Sequence, residues 1–80
     1  MQKKIRVLVV DDSVFFRQML IQDIQKQANM ELVGYATSAF DARSKVPALK
    51  PDVITMDVEM PGLSGIDFLK ELLPKYPVPV

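Results

Sequence analysis

The segment Ile5–Val10, IRVLVV, is β-branched and almost wholly apolar, and it runs straight into two carboxylates, Asp11 and Asp12. A strand with one wet face alternates apolar and polar residues, whereas a continuous apolar run marks a strand covered on both faces, as in parallel sheets flanked by helices. Asp52–Met56, DVITM, repeats the pattern and also ends in a carboxylate, Asp57. Any fold for this chain must cover these strands from both sides and accommodate three acids where they end.

Around the two strands the period becomes helical. From Ser13 to Ala28 the residues Phe16, Met19, Leu20 and Ile24 recur at helical spacing, with Arg17, Gln18, Gln22, Gln25 and Lys26 facing elsewhere. Asp12 or Ser13 suits the start of that helix as its cap. Glu31–Ala36, ELVGYA, reads as a less continuous strand. Ser38, with Asp41 three residues on, opens a short helix that Pro47 is expected to stop. After the loop VEMPGLSG, a helix from about Ser64 places Ile66, Leu69 and Leu73 on one face; Ser64 and Asp67 have capping-box spacing, and Pro74 and Pro77 close it.

Strand and helix thus alternate three times with short connections, which predicts an α/β fold whose parallel sheet is built from right-handed crossovers. Residues 78–80, VPV, look like the approach to a fourth strand. We therefore expect residues 1–80 to be the N-terminal portion of a larger domain. Apolar surface left bare in such a piece is expected to favour self-association.

Composition narrows the chemistry. Eighty residues make one small domain at most. Ten basic side chains balance ten acidic ones, which argues against a nucleic-acid or membrane-surface role. The chain has no Cys and no His, so thiol nucleophiles, imidazole bases and the usual zinc ligands are excluded, and any metal must be held by oxygen. No apolar run approaches the roughly 20 residues of a membrane span, and residues 1–6 lack a signal-peptide pattern, so a cytoplasmic location is expected.

All strand C-termini of a parallel sheet lie at one edge, and ligands bind in the crevice outside it where the strand order reverses. If the strands ending at Asp11 and Asp57 are neighbours, Asp11, Asp12 and Asp57 converge there. Two carboxylates about 4 Å apart repel by about 4 kcal/mol at an effective dielectric near 20. With no Lys or Arg in these loops, the natural counter-charge is a hard divalent cation such as Mg²⁺. Asp12, Asp57 and a backbone carbonyl near Glu59 would suit it. Such an ion can screen an incoming phosphoryl group so that a carboxylate acts as nucleophile, giving an aspartyl phosphate. Alone, Asp11–Asp12 would be explained as a helix cap with a solvated neighbour; Asp57 at the matching end of a second strand shifts the balance. Pro61, Gly62 and Gly65 are expected to shape their loop rather than touch a ligand. Phe15, Phe16, Met19 and Leu20 are expected to pack in the core or along the helix flank, Phe15 lying off the main stripe. Lys3, Lys4 and Arg6 are expected to be solvated, and Arg17, Lys26 and Arg43 show no clustering.

With VLVVDDS and DVITMDVEMPGLSGIDFL together, the sequence resembles the receiver domains of two-component response regulators over its whole length. The stretches LVGYA and ARSKVPALKPDVITMDVEMP make it more narrowly similar to the receiver half of chemotaxis protein-glutamate methylesterases, with the segment Asp57 to Pro61 the most specific motif. The resemblance implies a flavodoxin-like receiver fold with strand order 2-1-3-4-5. It implies that Asp57 is the phosphoacceptor, that Asp12 and Asp57 bind Mg²⁺ directly with the Glu59 backbone carbonyl, and that Asp11 binds it through water. It further implies a chemotaxis histidine kinase as phosphate donor, and an attached esterase domain that removes methyl groups from membrane chemoreceptors; neither nucleic acid nor the membrane itself is contacted. The family pattern also includes a hydroxyl residue ending a fourth strand and a Lys ending a fifth, both beyond Val80. One alternative is a receiver with a DNA-binding output. Another is a Mg²⁺-dependent phosphatase with its nucleophile on the first strand, although that pattern wants Asp-x-Asp where this chain has adjacent aspartates. A dinucleotide-binding enzyme is weaker still, because no G-x-G-x-x-G follows the first strand.

Overall fold

β1 (Ile5–Val10) is the central strand of the sheet, with β2 (Met30–Ala36) on one side and β3 (Val53–Met56) on the other, both parallel to it. The structure is a computed structural model that describes residues 3–57 and 65–80. Three helices complete the alternation: α1 (Val14–Gln25), α2 (Ala39–Leu49) and α3 (Gly65–Leu72). The expected alternating α/β architecture is therefore observed, in the order 2-1-3.

Because side chains alternate across a strand, β1 feeds two cores. Leu8 and Val10 join Ala36, Ala42, Val46, Ile54, Phe68 and Leu72 beneath α2 and α3. Val7 and Val9 pack with Ile21 and Ile24 of α1 on the opposite face. Continuous apolarity was the right signal, since all four of these β1 residues are buried. β2 carries one irregularity: Val7 pairs with Leu32 but Leu8 with Gly34, so Val33 is an extra residue. A Cβ at Gly34 would stand 2.8 Å from Leu49 Cδ1, so any larger residue beside the bulge would have to displace that side chain of α2.

Three helix expectations are corrected. On α1 Ile24 is buried as expected, but the side chains buried with it are Arg17 and Ile21, whereas Phe15, Phe16, Met19 and Leu20 are exposed. Several aromatic and aliphatic residues ring this helix, so spacing alone offered two apolar stripes, and the one that meets the sheet begins with an arginine. On α3, Phe68 and Leu72 are buried while Ile66 and Leu73 are exposed, again a different face from the expected one. Pro47 does not stop α2, which continues to Leu49 and ends at Lys50 in the left-handed region, φ 50°. Pro47 forgoes one amide donor, a small loss so close to the end of the helix. Ser64 lies outside the described residues.

The helix starts follow local chemistry. Ser13 Oγ accepts from the Phe16 amide, and Ser38 Oγ accepts from the Asp41 amide at 3.0 Å. Asp41 in turn accepts from the Thr37 amide and pairs with Lys45 at 3.0 Å. At the far edge of the sheet, the Ile54 amide donates to the Pro79 carbonyl at 2.9 Å, so residues near the C-terminus lie beside β3. Among the described residues no helix is long and apolar enough to cross a membrane.

Leu8→Ala removes a fully buried side chain and is expected to cost about 2–5 kcal/mol in denaturant unfolding. Phe16→Ala, at an exposed position, is expected to change stability by less than about 0.5 kcal/mol; equal losses would contradict the assignment of the α1 faces. Partial burial pushes the Asp41 carboxyl up, but the Lys45 hydrogen bond, the Thr37 amide and the Lys45 charge outweigh it and hold the group below its ordinary value. A carboxyl depressed by folding stabilises above its unfolded value, near 4, and loses that contribution as pH falls through the lower folded value. The stability gap between the unaltered protein and Asp41→Asn should therefore be full above about pH 5 and narrow in more acidic solution.

Candidate functional site

In-register pairing decides where the acids meet. Val10 of β1 lies opposite Met56 of β3 and Ala36 of β2, so the three strands end level. The ladder extends one step further: the Asp57 amide donates to the Val10 carbonyl and the Asp11 amide to the Ala36 carbonyl, each at 3.0 Å. Asp11 and Asp57 are thus fixed side by side at the C-terminal edge of the sheet.

The Asp-Asp-Ser turn sorts the two adjacent aspartates. Asp11 Oδ1 accepts from the Ser13 amide at 2.8 Å, which folds that carboxylate inward, and Asp11 is buried while Asp12 is exposed. One carboxylate oxygen each from Asp11, Asp12 and Asp57 lie within 4.8 Å of one another. Asp11 and Asp57 border a cleft of about 310 Å³ whose walls include Phe16 and Leu20 of α1 and Thr55 of β3. Like charges this close favour a cation, and an all-oxygen donor set suits a hard divalent ion such as Mg²⁺ rather than a thiophilic metal. Glu59, expected to contribute its carbonyl, lies outside the described residues, as do Pro61 and Gly62.

The sequence reading missed Arg17. It treated the acid-bearing loops as lacking a cation, yet Arg17 reaches them from α1, where Nη1 donates to the Asp11 carbonyl at 3.0 Å. A signal was present: Arg17, Ile21 and Ile24 form their own i, i+4, i+7 stripe, masked because an arginine headed it.

Two unit charges 4.8 Å apart repel by about 1 kcal/mol even at the dielectric of water. Asp12→Asn is therefore expected to raise the thermal midpoint measured in chelator by up to about 4 °C, with the gain shrinking in 1 M salt. No gain, or one indifferent to salt, would show that the acids do not repel as the geometry requires.

Comparison with known proteins agrees with this arrangement. A family model described as the response regulator receiver domain matches residues 7–80. A protein-glutamate methylesterase/protein-glutamine glutaminase of Syntrophotalea carbinolica is 51% identical over 80 residues, which are 100% of this chain and 23% of that protein. A protein of the same description from Thermotoga maritima is 53% identical over 76 residues, 95% of this chain and 22% of that one. The crystal structure of the response regulator domain of Thermotoga maritima CheB superimposes with a TM-score of 0.90 at 51% identity, covering 95% of this chain and 57% of that chain. The chain therefore spans about a quarter of the length of the curated relatives it matches. With a parallel 2-1-3 sheet that sets Asp11, Asp12 and Asp57 at its C-terminal edge and a family match over nearly its whole length, the chain belongs to the response regulator receiver domains.

Proposed function

We propose that this chain carries the phosphoacceptor site of a chemotaxis regulator of the protein-glutamate methylesterase type. The observation that carries the reading is the convergence of the Asp11, Asp12 and Asp57 carboxylates at the level ends of β1 and β3. Asp57 is the nucleophile: a carboxylate oxygen attacks phosphorus as the bond from phosphorus to a donor histidine nitrogen breaks, and the imidazole leaves. The product is an acyl phosphate on Asp57. Its backbone tie to Val10 fixes the nucleophile before the phosphoryl group arrives, so little reorganisation accompanies attack.

Asp12 and Asp57 would hold Mg²⁺ directly with the Glu59 carbonyl, and Asp11 would hold it through water. Ser13 engages Asp11 Oδ1, and Asp11 Oδ2 would be the oxygen to meet that water. The bound ion supplies charge neutralisation where two negative groups must meet. The donor is a chemotaxis histidine kinase, and the output is an attached esterase that removes methyl groups from glutamates of membrane chemoreceptors and is relieved of inhibition by phosphorylation. That role sets the chain in the cytoplasm. A methylesterase output is favoured over a DNA-binding one by relatives near 50% identity that carry that description.

Full-length protein incubated with a small-molecule phosphodonor and Mg²⁺ is expected to form a hydroxylamine-labile phosphate and to hydrolyse receptor methyl esters faster. Asp57→Ala should abolish both responses, and chelation should abolish the first. Unchanged acyl-phosphate formation in Asp57→Ala would sink the assignment, and label recovered on Asp11 would favour the phosphatase chemistry.

A further inference from the structure

Arg17 is only 7% exposed, and it is unusual in how its charge is met. Among the described residues it forms no ion pair; the two that occur are Arg43–Glu71 and Lys45–Asp41. Its guanidinium instead donates through Nη1 to the Asp11 carbonyl and stacks over the Tyr35 ring, 4.9 Å from the centroid. Its Nε is buried without a partner. Burying a charge on such terms is costly unless a nearby field offsets the lost hydration. The residue whose carbonyl Arg17 holds is itself one of the clustered acids, and among the described residues Asp11 is the other buried charged residue.

We propose that Arg17 is a positioning residue for the cation-binding carboxylates, acting through Asp11 and seated by Tyr35; this rests on the reading of the acidic cluster as a divalent-cation site. Asp11 is held at three points: its amide on Ala36, its carboxylate on the Ser13 amide, and its carbonyl on Arg17. The third contact is the only one of these three made by the side chain of another residue. It fixes the peptide between Asp11 and Asp12 and so sets the directions in which both carboxylates leave the backbone. Tyr35, one residue before Ala36 on β2, holds Arg17 in place, and Lys45 Nζ lies 5.2 Å from the same ring. The planar guanidinium can stack on the ring and hydrogen-bond in its own plane at once, which an ammonium cannot do.

The test uses the full-length protein with Mn²⁺ as the probe ion, its binding followed by water-proton relaxation. Arg17→Lys keeps the charge but loses the planar stack, and it is expected to weaken Mn²⁺ binding about tenfold, as loss of a group that orients metal ligands typically does. Tyr35→Leu should do the same, whereas Tyr35→Phe should bind like the unaltered protein. Because both residues act through one contact, Arg17→Lys with Tyr35→Leu should be no worse than the weaker single variant. In chelator, the Ser13 amide of Arg17→Lys should exchange faster, while the Ala42 amide, bonded to the Ser38 carbonyl, keeps its protection. Unchanged Mn²⁺ affinity in Arg17→Lys, or equal loss of protection at both amides, would overturn the positioning role alone. An unaltered protein that binds no Mn²⁺ would overturn both this role and the cation site beneath it.

Discussion

The parallel, in-register pairing of β1 with β3 is the constraint on which the rest depends. Because Val10 and Met56 are partners, the residues that follow them must emerge together, and the Asp57 amide completes the ladder on the Val10 carbonyl. Shifting the register by one residue would turn the apolar side chains of β3 to the wrong faces, so burial of Ile54 helps to hold Asp57 in place. The same packing that stabilises the sheet therefore sets the geometry of the site.

That geometry has a thermodynamic cost. Three carboxylate oxygens within 4.8 Å are an arrangement that folding alone would not favour, and the two apolar cores must outweigh it. Asp11 and Asp57 are held by backbone ladders, and Asp11 also by the Ser13 amide at the start of α1 and by Arg17. A group arriving in the cleft thus meets a field that is already oriented. The Arg17 guanidinium belongs to the same scheme: it holds the Asp11 carbonyl from α1 without lining the cleft that Asp11 and Asp57 border.

Legibility differed by element. The bounds of β1 could be read directly, because six consecutive residues bore one unmistakable pattern; the helix start at Ser38 followed from capping chemistry within three residues, while that of α1 was narrowed to Asp12 or Ser13 and the structure selects Ser13. The packing faces of α1 and α3 could not be read. Phe16, Met19 and Leu20 are as apolar as Ile21, Ile24 fits either stripe, and only the position of the sheet decides between two stripes on one cylinder. Pro47 was misread for a related reason, since a proline near the end of a helix costs one hydrogen bond rather than a whole element.

For the site, sequence by itself determined the side chains on offer: three aspartates after apolar strands and no thiol or imidazole anywhere, which leaves carboxylates as the charged groups where the strands end. It also determined the fold class, because continuous apolar strands alternating with helices leave few other solutions. Tertiary structure alone decided that β1 and β3 are neighbours ending level, that Asp11 is turned inward while Asp12 is exposed, and that an arginine from the packed face of α1 reaches the Asp11 carbonyl. These are relations between segments distant in the chain or faces of one helix, and local pattern carries no information about which face, or which neighbour, the assembled sheet will select.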